Sequence, residues 1–591
     1  MPAGSCPRRG QALLLTVLSM PVVFGTLGLA IDLGWGYSLQ RMTQSAADSA
    51  ALGAASKALQ DLGQNATAQC GQNVQCQALG PCPSSGNLSS GCLYARQNGV
   101  TQSGMNGRQS LQVAAQAGAG LDGSNVPGLS YWVQAVASQQ SPQLFSAVLG
   151  NRNLNVTAKA TAAMFPVSVN ASMYLLNRSS DCFVSALQIG VVCGEDFLSA
   201  IGAKVNAPGG IYMSSSNSSS TPLPNVAAAT ILGSAQVSAP FTDIMGPGGI
   251  NALGISAWSA SPKNGFQDGE GFRDPMRGKG QPPAPAGLPD VPVPGGVITG
   301  NLLGGTKLLA PGNYYATLPG LGTPSGLPIT IAGSVTFSDG ASNPCGGFCN
   351  YVFYGGLVTA SLSSVTFSPG RYVFAGAQPV SGGPGIGLTA GVNSKLQDGT
   401  PLDGGTITQN TDAGEIFIFT DTNYSGLKLP QAIQNSGLSF PQVTAGVQGG
   451  LGYTATLHGL NASSANLPAE LKPFAPVLFW QDQANTTLKY SSNGALDLSC
   501  GSVCANVLQI PGSQQMILEA SQSGGKAGVN FLGTIYAPRG AWITVLGLLP
   551  GDTIAGPAQF IAGALQMAIN TQLDLKPLPN PMNRMAVSLI Q

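Results

Sequence analysis

Charged side chains and histidine are scarce in this chain. Asp, Glu, Lys and Arg make up only 8% of the 591 residues, the 24 basic residues balance the 24 acidic ones, and there is one histidine. A neutral chain with so few charges argues against nucleic-acid binding, which needs a basic surface. Familiar catalytic patterns are also missing, because the sequence contains no G-x-S-x-G, H-E-x-x-H or G-x-x-x-x-G-K-[ST].

Glycine is abundant instead, with 81 residues, alongside 42 prolines. Disordered chains combine low hydrophobicity with high net charge. Here 43% of the residues are apolar and the formal net charge is zero. The chain can therefore build a sizeable core, and its length suits two to four domains. Abundant glycine with few charges is typical of exported β-rich proteins.

One long uncharged run lies near the N-terminus, from Gln11 to Ile31. At 1.5 Å rise per residue it spans about 30 Å, the thickness of a bilayer core. The run is longer than the apolar part of a signal peptide, and no clean A-x-A cleavage site follows it. Membrane helices also tolerate Pro21. We predict a transmembrane helix over 11–36, with Gln11, Leu15, Pro21 and Ile31 in the anchor, rather than a buried core helix.

The charges before this run predict its orientation. Arg8 and Arg9 precede it with no acidic residue nearby. Positively charged flanks stay in the cytoplasm. Residues 1–10 are then cytoplasmic, and the bulk of the chain is exported.

The cysteines support export. Eleven are present, and all except Cys6 follow the apolar run in local groups, which suits disulfides in an oxidising compartment. Two Cys-x3-Cys spacings leave a four-thiolate zinc site as the alternative, but we favour disulfides. The candidates are Cys182, Cys193, Cys345, Cys349, Cys500 and Cys504, with a further group at Cys70, Cys76, Cys82 and Cys92.

Residues 37–165 form a second region. Alanines from Ala46 to Ala58 recur at helical spacing, which predicts that the N-terminal helix continues to about Leu59 and ends near Gly63. Residues 64–128 have little periodicity and four cysteines, so we expect a disulfide-tied loop region. SYWVQAVASQQ and LNVTAKATAAM are predicted strands, and PQLFSAVLG between them a short helical turn. A long helix before a small antiparallel sheet is pilin-like in outline.

From residue 166 onward, short β-prone runs alternate with Gly, Pro and Asn. TKLLAPGNYYATL and SVTFSPGRYVFAG share a pattern, and VTFSDG nearly matches VTFSPG. Such recurrence favours a large β-solenoid, with a β-sandwich as the alternative. The predicted divisions are 166–262 as a first β-rich part, 263–296 as an exposed Pro/Gly-rich excursion, 297–580 as the β-solenoid domain and 581–591 as a tail.

The N-terminal segment resembles a known family. RGQAL leads into the apolar run and AIDLGWGYSLQRMTQSAADSAALGAA follows, as in TadE/TadG-like proteins of the Flp (tight-adherence) pilus-assembly system. LFSAVLGNRNLNVTAKATAAM is similar to the strand that closes this region in that family. The rest looks like the Gly/Ser-rich β-helical extension of some TadG-like proteins. The family-motif positions are Gly10, Asp32, Tyr37, Ala47 and Asp48, followed by Ala50, Ala51 and Leu52.

Two departures from the family pattern matter. Its prepilin peptidase cuts after a Gly and requires an acidic residue five positions on, whereas Leu15 is at that place after Gly10, so we expect a retained anchor. Some TadG-like proteins carry a metal-binding Asp-x-Ser-x-Ser loop. The nearest sequence here is Asp421-Thr-Asn-Tyr-Ser425, in which Asn423 replaces the first Ser. We therefore expect no metal or cofactor.

No residue is predicted to be catalytic. His458 has no sequence cue to a partner. Asp412, Glu415, Asp421 and Asp482 lie near apolar runs, and paired carboxylates in a β-helix could cleave polysaccharides. We interpret these acids as turn-capping groups. The aromatic pairs Tyr314-Tyr315 and Phe479-Trp480 are interpreted as core or stacking groups.

The resemblance predicts a non-enzymatic protein of the bacterial inner membrane. It crosses the membrane once, and its bulk lies in the periplasm or outside the cell. Its expected partners are the membrane and Tad/Flp pilus-assembly proteins or envelope components, without nucleic acid. The alternatives are a membrane-tethered polysaccharide-active enzyme on a β-helix and a surface adhesin unrelated to pili.

Overall fold

The computed structural model divides into two compact units. One comprises residues 1–168 and 583–591, and the other residues 169–582. The residues that the structure describes are 9–62, 68–118, 129–143, 145–150, 152–168, 171–176, 182–184, 191–193, 197–199, 201–214, 228–244, 249–259, 262–263, 274–276, 279–301, 305–340, 344–377, 386–398, 402–403, 406–407, 412–438, 440, 445–449, 453–482, 516–519, 529–545, 552–567, 570–578 and 583–590.

The first unit is dominated by helix α1, Arg9–Leu62. Its long first part exposes large apolar side chains, among them Leu15 and Ile31. Within the described residues, this is the one helix long and apolar enough to cross a membrane. Its end at Leu62 confirms the prediction that the helix continues beyond the apolar run.

The second part of α1 packs on a five-stranded antiparallel sheet. The alanines at 46, 47, 50, 51, 54, 55 and 58 are all fully buried, because small side chains let the helix lie close to its neighbours. The predicted strands and the turn between them, at Ser146–Leu149, are confirmed. The strands, in sheet order, are β1 (Gln77–Pro81), β2 (Gln109–Ala117), β3 (Tyr131–Pro142), β4 (Asn153–Ser168) and the C-terminal strand β39 (Asn583–Leu589).

The predicted loop region over residues 64–128 is wrong in part. The structure places two helices there, α2 (Gly86–Gln97) and the turn α3 (Gly104–Gly107), together with β1 and β2. Helix α2 packs against α1. Helix α2 was not predicted because it is rich in Gly, Ser and Asn, which are weak helix formers. Tertiary packing therefore determines its conformation.

The second unit is mainly β, with predominantly parallel pairing. Its one α-helix in the described ranges is α4 (Gln431–Ser436), and short 3-10 turns lie at Pro344–Gly347 and Lys472–Phe474. The strands up to residue 263 are β5 (Met173–Leu175), β6 (Cys182–Val184), β7 (Val191–Cys193), β8 (Phe197–Ser199), β9 (Lys204–Asn206), β10 (Ile211–Met213), β11 (Ala229–Gly233), β12 (Gln236–Ser238), β13 (Thr242–Ile244), β14 (Ile250–Gly254), β15 (Ala257–Trp258) and β16 (Pro262–Lys263).

The longer run of strands follows residue 289. It comprises β17 (Asp290–Pro294), β18 (Val297–Thr299), β19 (Lys307–Leu309), β20 (Gly312–Thr317), β21 (Ile329–Ala332), β22 (Ser334–Phe337), β23 (Cys349–Gly355), β24 (Leu357–Thr359), β25 (Ser364–Phe367), β26 (Gly370–Ala377), β27 (Ile386–Ala390), β28 (Lys395–Gln397), β29 (Leu402–Asp403), β30 (Thr406–Ile407), β31 (Glu415–Thr420), β32 (Ala445–Gly449), β33 (Thr454–His458), β34 (Val477–Gln481), β35 (Met516–Glu519), β36 (Val529–Val545), β37 (Asp552–Met567) and β38 (Thr571–Lys576).

Three parallel series run through this part of the unit. From β17 to β25, each strand pairs in parallel with the strand three positions later in the chain, so that β17 pairs with β20 and β25 pairs with β28. The series continue through β31, β33 and β32. Their inward-facing aromatic and aliphatic side chains form one continuous core.

The repeated sequences recognised above are stacked on one another. VTFS at 335 and VTFS at 365 lie on β22 and β25, which pair in register, so Phe337 stacks on Phe367 at 5.5 Å between ring centroids. Tyr351 likewise stacks on Tyr372 at 5.1 Å, and Tyr372 on Phe417 at 5.2 Å. The aromatic pairs Tyr314-Tyr315 and Phe479-Trp480 are buried, as predicted.

The Pro/Gly-rich excursion is not simply exposed. Met276 is fully buried and Pro282 is buried. The segment of residues 274–276 and 279–289, which we call the proline strap, contacts strands and loops of the second unit. Along the strap, the contacted residues are Tyr536, Pro473, Asp482, Tyr424, Arg371 and Asn313. The carbonyls of Pro282 and Pro283 accept two of these hydrogen bonds, an acceptor that proline keeps although it lacks an N–H.

Candidate functional site

The anchor residues lie on the exposed first part of α1. Leu15 is 68% exposed and Ile31 51% exposed, although large apolar side chains are normally buried when they can be. Pro21 lies inside the helix. Arg9 is the first residue of α1 and Gln11 lies in its first turns, whereas Arg8 lies outside the described residues. A long apolar surface of this kind indicates contact with lipid or a partner.

The family-motif residue Asp32 fixes a local contact. Its carboxylate Oδ2 accepts hydrogen bonds from the backbone N–H groups of Phe145 (3.1 Å) and Ser146 (2.6 Å), and from the Ser146 hydroxyl (2.7 Å). It thereby caps the turn that leads into β4. Trp35 adds a hydrogen bond from Nε1 to the Ser141 hydroxyl at 2.9 Å. These contacts tie α1 to the turn between β3 and β4.

The other motif positions have separate roles. The Tyr37 ring is 58% exposed and lies 4.8 Å from the Arg41 guanidinium carbon. Ala47 is fully buried in the row of alanines between residues 46 and 58 of α1, which we call the alanine stripe. Asp48 accepts a hydrogen bond from Gln44 one turn away at 2.7 Å, and Gly10 lies in the first turn of the helix. The motif therefore combines packing and local hydrogen bonds, and its members do not form one site.

Three disulfides are present among the described residues. They join Cys70 to Cys76, Cys82 to Cys92 and Cys345 to Cys349. The last bond leaves no thiolate at that pair for the zinc alternative. The backbone places Cys182 opposite Cys193 in the antiparallel pair β6–β7. Cys500 and Cys504 lie outside the described residues.

A buried cluster of one histidine and three carboxylates lies at a corner of the second unit. His458 ends β33, Asp398 follows β28, and Glu415 begins β31, with Asp412 three residues before it. Strands β28 and β33 pair directly, and Glu415 forms a bridge with Gly459. Parallel stacking therefore brings together residues that lie far apart in sequence. We call these four residues the His458 cluster.

The His458 ring lies between the carboxylates. Its Nδ1 is 2.5 Å from Asp398 Oδ2 and 3.5 Å from Glu415 Oε2, and its Nε2 is 2.7 Å from Asp412 Oδ1. The His458 side chain is 2% exposed and those of Asp398 and Glu415 are 0% exposed, whereas Asp412 is 29% exposed. Asp412 is thus the member of the cluster that reaches solvent.

Burial and mutual attraction determine the charges. Burial lowers the pKa of His458, but Glu415 and hydrogen bonds to Asp398 and Asp412 outweigh burial and raise that pKa to about 11. Burial raises the pKa of Glu415 well above its usual 4.5, and His458 opposes this only in part. Glu415 and His458 therefore influence each other's charge across the 3.5 Å between Glu415 Oε2 and His458 Nδ1.

The remaining candidate acids have structural partners. Asp421 Oδ1 accepts the backbone N–H of Asn423 at 2.7 Å, an Asx turn, as the turn-capping interpretation expects. Asp482 accepts the Thr420 hydroxyl at 2.7 Å and the Gln281 side-chain amide of the proline strap. Asp412 also accepts a hydrogen bond from the Gly414 N–H at 3.0 Å. It therefore caps a turn and contacts His458 at the same time.

Sequence reasoning missed the His458 cluster. No sequence cue pointed to a partner of His458, yet Asp398, Asp412 and Glu415 surround it. The interpretation of Glu415 as a turn-capping acid is wrong, because its side chain is fully buried beside His458. Asp398 is 60 residues away in sequence, and only the pairing of stacked strands makes them neighbours. A possible signal was that Glu415 opens the apolar strand EIFIFT, where a carboxylate needs a buried partner.

Comparison with known proteins gives one match. Residues 10–57 match a family model described as Putative Flp pilus-assembly TadE/G-like. The matched segment lies within α1 and includes the exposed apolar part and most of the alanine stripe. The resemblance predicted from the sequence is thus confirmed for this segment. No curated protein and no solved structure matches the chain.

Proposed function

We propose that this protein is a membrane-anchored component of Flp-type pilus assembly. The observation that carries the proposal is the TadE/G-like match over residues 10–57. The matched segment coincides with a helix whose apolar side chains from Leu15 to Leu33 are exposed over much of the run. A bilayer removes such surface from water at a gain of roughly 25 cal/mol per Å². Expected partners are other pilus-assembly proteins or envelope components.

The bulk of the chain lies outside the cytoplasm in this proposal, in a single-pass inner-membrane topology. Arg8 and Arg9 on the preceding flank support a cytoplasmic N-terminus. The disulfides Cys70–Cys76, Cys82–Cys92 and Cys345–Cys349 support an oxidising compartment for both units. They are rare in proteins that remain in a reducing cytosol.

The second unit acts as a β-solenoid scaffold. Pairing of every third strand in parallel and in register supports this architecture, since three consecutive strands then make one coil and the corresponding strands of successive coils stack. Immunoglobulin-type β-sandwiches are built from antiparallel sheets, so the parallel series disfavours that alternative. A glycine-rich β-body of this kind suits a spacer or docking element in the envelope.

The protein is non-enzymatic in this proposal. Asp421 is engaged in an Asx turn, and Asp482 binds Thr420 and the proline strap. These contacts support a structural role for both carboxylates. Hydrolysis of envelope polysaccharide by the purified full chain, lost in Asp482→Asn, would instead establish the enzymatic alternative.

Deletion of the chromosomal gene tests the proposed role. We expect fewer Flp-type pili per cell by electron microscopy and weaker attachment to surfaces, both restored by the wild-type gene in trans. Unchanged piliation together with reduced attachment would identify an adhesin unrelated to pili. Unchanged piliation and attachment would refute the proposal.

A further inference from the structure

We propose that Asp398, Glu415 and His458 form a binding site for one divalent transition-metal ion. Each residue offers one ligand atom, and these atoms all lie within 4.8 Å of one another. All three side chains are buried. A site of this kind differs from the expectation of no metal, which rested on the sequence around Asp421.

The separations of the ligand atoms suit a metal centre. A tetrahedral ion about 2.1 Å from each ligand holds neighbouring ligand atoms about 3.4 Å apart. His458 Nδ1 and Glu415 Oε2 are 3.5 Å apart. His458 Nδ1 and Asp398 Oδ2 are 2.5 Å apart, so binding requires this pair to open by about 1 Å. The ion replaces the proton that Nδ1 shares with Asp398.

A second observation concerns the carboxyl group of Glu415. Glu415 Oε1 is buried and has no hydrogen-bond partner among the residues that the structure describes. Leaving a buried carboxyl oxygen unpaired costs stability, and native proteins rarely leave one unless a ligand or an ion satisfies it. The Glu415 side chain is 0% exposed, so bulk water does not satisfy this oxygen.

The second imidazole nitrogen of His458, Nε2, contacts a carboxylate, as the non-ligating nitrogen of a metal-binding histidine commonly does. His458 Nε2 is 2.7 Å from Asp412 Oδ1, which suits an N–H donated to a carboxylate. Such a contact fixes the ring and makes the other nitrogen a better ligand. Asp412 is therefore a positioning residue, and Asp398, Glu415 and His458 are the ligands.

The donor set indicates the class of metal. Imidazole suits Zn²⁺, Fe²⁺ and Ni²⁺, whereas carboxylates suit Mg²⁺, Ca²⁺ and Mn²⁺. Two carboxylates with one imidazole are thus best matched by Zn²⁺ or Mn²⁺. Three protein ligands leave a fourth coordination position open, but burial of all three restricts access of a substrate. The role assigned to the ion is therefore to fasten the ends of the paired strands β28 and β33 to the start of β31.

Metal content of the full-length protein is the first test. The protein is solubilised from its native membrane in detergent without chelator and analysed by inductively coupled plasma mass spectrometry. We expect about one equivalent of zinc or manganese per chain, as in a single structural site. The protein is then stripped with EDTA and titrated separately with ZnCl₂ and MnCl₂ to identify which ion binds more tightly.

Substitutions locate the ion. Glu415→Gln and His458→Gln keep similar side-chain size and should each abolish the bound equivalent. Asp412→Asn should retain it but lower the affinity by about 10–100-fold. Asp421→Asn is the matched control, because Asp421 caps an Asx turn elsewhere in the same unit, and it should bind like the wild type.

Hydrogen exchange keeps the test independent of variants that fail to fold. In the wild-type protein, EDTA should speed amide exchange at the ends of β28, β31 and β33, and the preferred metal should restore protection. Absence of metal in the native protein together with no saturable binding of Zn²⁺ or Mn²⁺ overturns the proposal. Metal retained by both Glu415→Gln and His458→Gln overturns it as well, since the ion would then lie at other residues.

Discussion

At the scale of single side chains, buried polar groups in both units are paired across long sequence separations. Tyr131 on β3 donates its hydroxyl to the Gln75 carbonyl at 2.6 Å and accepts from the Asn87 amide at 2.8 Å. It links the sheet of the first unit to the segment before β1 and to helix α2. Burial raises the pKa of Tyr131 from 10.0 to about 12, and the hydrogen bond from Asn87 opposes this.

Replacement of Tyr131 by Phe therefore has a pH-dependent cost. Below pH 10 the loss of the hydroxyl removes its hydrogen bonds with the buried Asn87 amide and the half-buried Gln75 carbonyl, and we expect the free energy of unfolding to fall by about 1–3 kcal/mol. The folded-state pKa lies above the unfolded value, so the stability that Tyr131 contributes is full below pH 10 and is lost as the pH rises through 12. Urea unfolding should show the difference between wild type and Tyr131→Phe shrinking over this window.

Val133→Ala is the control for this measurement. Val133 is fully buried on the same strand and carries no titratable group, so its cost should stay constant from pH 9 to pH 12. A difference for Tyr131→Phe that is equally constant would contradict the proposed role of its hydroxyl.

The limits of prediction are also clearest at single residues. The alanine stripe could be predicted because helical periodicity depends only on residues close in sequence. The structure confirms it, since Ala47, Ala51 and Ala54 are all fully buried. The partners of His458 were not readable, since Asp398 and Glu415 lie 60 and 43 residues away. Their proximity depends on the length of each turn between stacked strands, which irregular spacing in the sequence conceals.

At the scale of elements, close packing of α1 and α2 depends on glycine as well as alanine. A Cβ built at Gly91 would lie 2.3 Å from the Ala50 carbonyl oxygen and 2.7 Å from the Ala54 Cβ. Backbone atoms of α1 cannot move aside as a flexible side chain can. The sequence predicted the stripe on α1 but not α2 as its partner, because the α2 sequence has low intrinsic helix propensity.

Gly91→Ala should therefore separate α1 from α2. Alanine improves helix propensity by about 1 kcal/mol over glycine, but overpacking costs about 1–3 kcal/mol. We expect net destabilisation, seen as a lower thermal midpoint and faster hydrogen exchange in α2. Gln97→Ala on the exposed side of the same helix should leave both unchanged, and an equal effect of the two substitutions would refute this account of the interface.

At the scale of the whole molecule, a long exposed apolar helix segment and a β-rich body belong to one chain. The sequence predicted the apolar helix because apolar length is a local property. The VTFSDG and VTFSPG repeats favoured a β-solenoid, and the strands that carry them, β22 and β25, pair in register. The sequence misjudged the proline strap as exposed. The strap has no periodicity of its own, and its hydrogen bonds to Tyr424 and Tyr536 exist only once distant strands are assembled.

The most direct measurement counts pili on cells whose anchor is disrupted. Leu18 and Val22 are 63% and 65% exposed on α1, and an arginine at the centre of a membrane helix costs about 2.5–3.5 kcal/mol each. A deletion strain is complemented with wild type, with the double variant Leu18→Arg and Val22→Arg, or with the control Gln40→Arg, at equal protein levels. The account predicts that the double variant leaves the carbonate-resistant membrane fraction and fails to restore pili, whereas wild type and the control restore them. Normal pilus numbers with the double variant, or normal numbers in the deletion strain itself, would contradict it.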